Sequence, residues 1–360
     1  MHNKPKVLFI LKRRHDYNSE KHININLSTG LYNSASFMND MLNENDVESN
    51  IVVVVDNNQI DKVVTEYKPT HVIIEALWVV PSKFHVLTKL HPNVVWIIRL
   101  HSEVPFLANE GMAFDWIGDY LSFDNVVLGI NAPRALSEIR EYLLVKYFPY
   151  VHKDFINNRV VYLPNYYPQL FNDKEFDKEK EHIDISCFGA IRPLKNHMIQ
   201  ALAALKFAES IDKKLYFHIN TGRVEQKGDS ILNNLQSMFS HIHSKGHRLI
   251  NHGWMPREQF LDVCRTIDIG MQVSFSETFN IVAADLVTQG VPIVGSNEIP
   301  WTTRLFSTNA TDSDKIADKL YFTYKFPNLN LKIHKYLLKR YTNKTKNIWV
   351  NYIKNNKNEY

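Results

Sequence analysis

Ser274-Phe275-Ser276-Glu277-Thr278-Phe279-Asn280-Ile281-Val282-Ala283-Ala284-Asp285 runs without a break into Leu286-Val287-Thr288-Gln289-Gly290-Val291-Pro292-Ile293-Val294-Gly295-Ser296. The stretch reads as a strand end, an acidic loop, a helix over 278–288, a tight glycine turn and a buried strand over 292–294. Glu277 and Asp285 stand eight positions apart, one in the loop and one two turns into the helix. A helix start offers the N–H groups of Thr278, Phe279 and Asn280 to an anion. Asp285 is embedded in Ile281-Val282-Ala283-Ala284 and Leu286-Val287, where an acid requires a partner. The plainer reading makes Glu277 a helix-start acid and Asp285 a solvated side chain; the apolar neighbours of Asp285 argue against it.

The same alternation extends in both directions. Before the stretch, apolar runs at 183–188, 215–220, 249–253 and 269–273 predict strands, with helices at 197–209, 231–243 and 257–267 between them. Nearer the N-terminus, strands are predicted at 7–11, 51–55, 71–76, 94–100, 125–130 and 160–163, with helices at 30–42 and 63–67. Short continuous apolar strands separated by helices imply parallel sheets covered on both faces. The charged run Asp173-Lys174-Glu175-Phe176-Asp177-Lys178-Glu179-Lys180-Glu181, flanked by Pro164 and Pro168, reads as the inter-domain linker. The expected fold class is α/β, with domains at 1–168 and 182–331 and a helical tail at 332–360. Ligands of such sheets bind beyond the carboxyl ends of the strands.

Composition narrows the function. The 360 residues exceed one ordinary core, and 44% hydrophobic with 22% charged residues suits a globular protein. No apolar run approaches the ~20 residues of a membrane span. Lys12-Arg13-Arg14 follows the first apolar run where small cleavage-site residues would stand in a signal peptide, so a cytoplasmic protein is expected. Cys187 and Cys264 lie in apolar elements and read as two buried thiols. The net charge of +4 permits a polyanionic partner. Cations from Lys332 to Lys357 crowd the C-terminal segment, where Glu359 is the only acid; a solvated helix face is the ordinary account of such a run. Asp312-Ser313-Asp314 reads as a helix cap rather than a metal motif. No zinc-ligand spacing and no P-loop is present, and no metal site is expected.

The 277/285 pair resembles the Glu-x7-Glu signature of retaining nucleotide-sugar glycosyltransferases of the GT-B fold, with Asp in place of the second Glu. Phe188-Gly189-Ala190-Ile191-Arg192-Pro193-Leu194-Lys195-Asn196 resembles the family's phosphate loop: Gly189 and Lys195 match, Ala190 stands where an arginine is usual, and Arg192 comes two positions later. Arg99-Leu100-His101-Ser102-Glu103 resembles the histidine loop that faces the donor sugar. Ser28-Thr29-Gly30-Leu31 is similar to the family's glycine loop, and a helix N-cap explains it nearly as well. Pro164-Asn165-Tyr166 resembles the dipeptide at the domain junction. Asn251-His252-Gly253-Trp254 resembles the turn that admits the base.

The resemblance implies two Rossmann-like domains facing a central cleft and a C-terminal helix that crosses back. It implies retaining transfer from a nucleotide sugar, a UDP-sugar being expected, to a hydroxyl, with no metal or other cofactor. Glu277, His101 and Lys195 would be catalytic. Arg192, Lys195, Asp285, Thr278, Phe279, Asn280, Gly253, Gly189 and Gly30 would bind the donor. The stretch from His101 to Gly111 also resembles bacteriophage-encoded glycosyltransferases, some of which glycosylate hydroxymethylated cytosine in DNA. Double-stranded DNA is then the preferred acceptor, with the basic C-terminal tail and Lys12, Arg13 and Arg14 as phosphate contacts. A glycan, lipid or small-molecule acceptor, a GT-B-fold sugar-nucleotide epimerase and a non-catalytic nucleotide-sugar-binding module are the alternatives.

Overall fold

The computed structural model describes residues 4–13, 30–147 and 149–355. Arg14, Ser28, Thr29, Lys357 and Glu359 lie outside the described residues. The chain divides into two compact units, the first holding described residues 4–13, 30–168 and 342–355 and the second holding 169–341.

The first unit is built on six parallel strands: β1 (Lys6–Lys12), β2 (Glu48–Val54), β3 (His71–Glu75), β4 (Val95–Leu100), β5 (Val126–Ile130) and β6 (Val160–Tyr162). Their order is β2-β1-β3-β4-β5-β6. The second unit carries β7 (His182–Cys187), β8 (Lys214–Asn220), β9 (Arg248–His252), β10 (Ile269–Gln272), β11 (Ile293–Ser296) and β12 (Ser307–Thr308) in the order β12-β11-β10-β7-β8-β9, again parallel. Each sheet reverses its direction of growth once, between β1 and β3 and between β7 and β10. A crevice opens beyond the carboxyl ends of the strands at such a reversal.

Alternation along the first sheet explains its two cores. Leu8, Ile10, Val72, Ile74, Trp96, Ile98 and Leu128 bury on one face. Val7, Phe9, Leu11, Ile73, Ile97 and Val127 bury on the other, against Ala35, Met38 and Leu42 of the helix Gly30–Asn43. Trp349, Tyr352 and Ile353 complete that second face. They come from the helix Pro327–Asn355, whose first half counts with the second unit. The Trp349 indole N–H donates to the Pro164 carbonyl at 2.8 Å, and its ring lies 6.2 Å from Phe9. The final helix therefore returns to the first unit.

Most strand boundaries fall within two residues of expectation, and β2 and β12 depart furthest. β2 begins three residues early, because Lys6, Val7 and Leu8 of β1 pair with Glu48, Ser49 and Asn50. This is an edge strand, where the ladder outruns the apolar pattern. β12 is two residues long and carries no periodic signal of its own.

Residues 169–181 form no helix or strand. Their backbone is stitched to the turn after the helix Ile281–Thr288, with the Asn172 N–H donating to the Thr288 carbonyl at 2.7 Å. Gly290 has φ +79°, and a Cβ there would sit 2.8 Å from the Lys174 amide nitrogen. Both the conformation and the space demand glycine. Cys187 and Cys264 are free and buried. Among the described residues no helix is long and apolar enough to cross a membrane.

Candidate functional site

The second sheet's reversal point brings two loops together. After β7 the chain turns at Gly189, φ +119°, whose N–H donates to Asn220 Oδ1 at 2.9 Å. A Cβ at Gly189 would meet only Lys195 Cε at 3.9 Å, so backbone conformation rather than crowding selects glycine. A single turn over Pro193–Lys195 leads to Asn196, φ +58°. The Asn196 side-chain amide donates to the carbonyls of Val273 and Ala310, at 3.0 and 2.6 Å. The Phe275 N–H donates to the Leu194 carbonyl at 2.9 Å. These bonds clamp the β7 loop to the β10 loop. Their outcome is an ion pair between Lys195 Nζ and Glu277 Oε1, with side chains 13% and 9% exposed. Two residues 82 positions apart in sequence thus share one contact.

The helix that follows starts later than its pattern predicts. It spans Ile281–Thr288, so Thr278, Phe279 and Asn280 do not form its first turn. Asn280 is the cap. It sits at φ +64°, its Oδ1 accepts from the Ala283 N–H at 2.8 Å, and its Nδ2 donates to Gln272 Oε1 at 2.9 Å. Phe279 is buried, with its carbonyl accepting from the Trp301 indole at 2.7 Å and its ring 5.5 Å from Tyr341. Asparagine bonding to nearby backbone competes with helical continuation, and here it wins. The first-turn N–H groups are those of Ile281, Val282 and Ala283.

Asp285 therefore stands one turn into the helix rather than two. It is buried, and its Oδ1 accepts from Arg257 Nη2 at 2.7 Å. Arg257, which opens the helix Arg257–Thr266, is the partner that the apolar surroundings of Asp285 require. Sequence reading marked Arg257 only as a helix start.

Arg192 faces a carboxylate that the sequence did not single out. Its Nη1 lies 3.5 Å from Glu225 Oε2, while Arg223 Nε donates to Glu225 Oε1 at 2.7 Å. The two loops are paired, Ile191 N–H to the Arg223 carbonyl and Glu225 N–H to the Ile191 carbonyl. Arg223 also lies over the Trp254 ring at 5.4 Å. Two arginines on one carboxylate leave a net positive charge on this loop pair. Gly253, just past β9, is exposed, and a Cβ there would meet nothing within 4 Å.

In the first unit, His101 follows β4. Its Nε2 hydrogen-bonds Glu75 Oε2, and Glu75 is fully buried. Arg99 Nη1 donates to Glu75 Oε1 at 3.0 Å. The rest of the Arg99 guanidinium is received by Asn165 Oδ1 and the carbonyls of Pro164 and Leu163. The Pro164-Asn165 dipeptide is thus the cup that holds Arg99. Burial alone pushes the Glu75 carboxyl up, but the charges of Arg99 and His101 and their hydrogen bonds together hold it below the usual range. Burial lowers the His101 pKa, and Arg99 adds to this against the opposing pull of Glu75. An ionised carboxylate only accepts, so Nε2 of the neutral imidazole carries the proton and Nδ1 the lone pair.

Gly30 is exposed at the start of the helix Gly30–Asn43. Lys12 is exposed at the end of β1, and the Arg13 N–H donates to the Val54 carbonyl at 2.7 Å. Three partners of predicted residues were missed, Glu75, Arg257 and Glu225, and the first two had a faint signal. Glu75 is an acid closing an otherwise apolar strand, and Arg257 is a cation within reach of an acid that needs one.

No protein-family model matches the chain, and no curated protein matches it by sequence. Solved structures do match in shape. HepE of Anabaena in complex with UDP and glucose superposes with TM-score 0.66 at 11% identity, over 98% of this chain and 100% of that one. Trehalose-6-phosphate from E. coli bound with UDP-2-fluoro glucose gives TM-score 0.68 at 13% identity, over 97% and 99%. A trehalose-6-phosphate synthase studied for enzymatic glycosyltransfer with retention gives TM-score 0.60 at 16% identity, over 82% and 76%. The chain thus has the two-sheet, twice Rossmann-like α/β architecture of the GT-B fold.

Proposed function

We propose that this chain is a retaining glycosyltransferase that moves a sugar from a UDP-sugar to a hydroxyl acceptor. The observation that carries this reading is the Lys195–Glu277 contact at the reversal point of the second sheet, where a lysine and a carboxylate meet on loops held by backbone and side-chain bonds. UDP and glucose in the HepE complex and UDP-2-fluoro glucose in the E. coli relative support it.

In this reading Lys195 and Arg192 hold the diphosphate, and their charge stabilises the anion that grows on the leaving nucleotide. Asp285, paired with Arg257, holds the ribose. Glu277 and His101 orient the sugar hydroxyls. The bond between the anomeric carbon and the phosphate oxygen breaks, the acceptor oxygen bonds to that carbon on the same face, and its proton passes to the departing phosphate oxygen. The cations make a metal ion unnecessary.

We assign the acceptor as hydroxymethylated cytosine in double-stranded DNA, in the cytoplasm. The likeness of the 101–111 stretch to bacteriophage enzymes and the net charge of +4 support this.

The test incubates labelled UDP-sugars and EDTA with hydroxymethylcytosine DNA or with oligosaccharides. Label is expected in the DNA, undiminished by EDTA. Glu277→Ala is expected to lower kcat by about 100-fold or more. Wild-type turnover in that variant would overturn the site. Label in oligosaccharide alone would overturn the acceptor, and epimerised free sugar would overturn transfer itself.

A further inference from the structure

The helix Pro327–Asn355 is 29 residues long and contains no Asp or Glu, yet seven of its residues are Lys or Arg. At about 100° per residue, all seven fall on roughly one half of the circumference. The opposite half, including Leu331, His334, Leu338, Thr342, Trp349 and Ile353, is buried. Within the second unit the outward half presents Lys332, Tyr336, Lys339 and Arg340, with Tyr336 63% exposed.

Cations and aromatics continue at the start of this helix. Lys325 lies over the Tyr321 ring at 4.4 Å, and Phe326 is 47% exposed. Lys174, Lys178, Lys325 and Phe326, together with one acid, Glu175, line an open surface pocket of about 620 Å³. Asp173 is already taken by Lys335, at 2.9 Å.

We propose that this face is a docking surface for the phosphodiester backbone of nucleic acid. Cations at intervals neutralise phosphates, and exposed rings between them offer faces on which bases or sugars rest. From Lys332 to Arg340 the helix runs roughly 12 Å, about the reach of three or four phosphates along one strand of a duplex. A bilayer-surface helix must keep a broad apolar face for insertion. Here the apolar face is spent on the protein core, which leaves the bilayer little to bind. The inference rests on the nucleic-acid acceptor proposed above. Of the two basic segments that the sequence offers, it places the main phosphate contact on the final helix, ahead of Lys12 and Arg13.

The binding measurements use the full chain without any sugar donor. Fluorescence anisotropy measures binding to a 30-base-pair duplex, a single strand of equal length and phosphatidylserine vesicles, between 50 and 200 mM salt. Wild type is expected to bind nucleic acid with a steep salt dependence. The triple variant Lys332→Glu, Lys339→Glu, Arg340→Glu is expected to bind at least 10-fold more weakly, with the log–log salt slope reduced by about three. Its acceptor-independent hydrolysis of UDP-sugar should stay at the wild-type level, which shows an intact fold and donor site. Equal affinity and slope in wild type and variant would overturn the proposal. So would a wild type that binds neither nucleic acid, or that prefers vesicles. Loss of binding in the variant, alongside a wild type that transfers no sugar to DNA, would uphold the surface and overturn the acceptor.

Discussion

Glu75 is fully buried between Arg99 and His101, one of its carboxylate oxygens on each. A buried ion pair of this kind contributes little net stability while whole, but losing one partner leaves a charge stranded. Glu75→Gln is therefore expected to destabilise the first unit by about 3 kcal/mol, read from the urea midpoint at constant m-value. An unchanged midpoint would mean that Arg99 needs no counter-charge. His101 was legible because a histidine ended a strand beside a characteristic loop. Glu75 was not, because its meeting with Arg99 is a register fact, Glu75 opposite Arg99 across β3 and β4. Which strands become neighbours is decided by the whole sheet. Lys195 and Glu277 were both legible by spacing, yet their contact depends on Asn196 and Phe275, whose bonds no motif announces.

At the scale of elements, the helix Ile281–Thr288 shows how one side chain sets a boundary. Apolar periodicity carried the expected helix back to Thr278. Asn280, left-handed and capping Ala283, stops it. Asn280→Ala loses the cap and places a Cβ-bearing residue without a local hydrogen bond at φ +64°, and is expected to cost about 2 kcal/mol. Asn280→Gly relieves the backbone and should cost well under half as much. Thermal melts of the two variants check the order, and equal costs would show that Asn280 acts through a side-chain bond that both variants lose, such as that to Gln272, rather than through its left-handed backbone. Apolar runs located the centres of eleven of the twelve strands. They missed the polar start of β2 and the two residues of β12, since edge pairing rests on backbone bonds rather than on buried side chains.

At the scale of the whole molecule, alternation of strand and helix in the sequence foretold two covered parallel sheets. The strand orders were not readable, because parallel pairing joins segments far apart in the chain. Acid sensitivity is likewise a property of the whole. His197 and His334 are fully buried, and burial first of all pushes their pKa values down to about 3 and about 4; Lys195 and Arg192 add to the effect at His197. Neither His197 ring nitrogen has a hydrogen-bond partner among the described residues. Both groups titrate lower in the folded chain than their unfolded value of 6.5, so the unfolded chain binds more protons below that pH. Stability should be full above pH 6.5 and fall as pH drops toward 4, by up to about 1.4 kcal/mol per pH unit for each histidine. Urea midpoints across pH 4–8 check this, and His334→Gln should make the fall shallower by up to about 1.4 kcal/mol per pH unit. A slope unchanged in that variant would mean that His334 is accessible to protons in the native state.

Trp349 closes the face of the first sheet that begins with Val7 and Phe9. A ribosome emits those strands long before it emits the tryptophan. Until Trp349 emerges, the nascent first sheet must carry a greasy, unroofed plane, a natural target for chaperones that hold hydrophobic surface. Trimming the last dozen or so described residues would therefore cripple a sheet whose first strand is made more than 300 residues earlier.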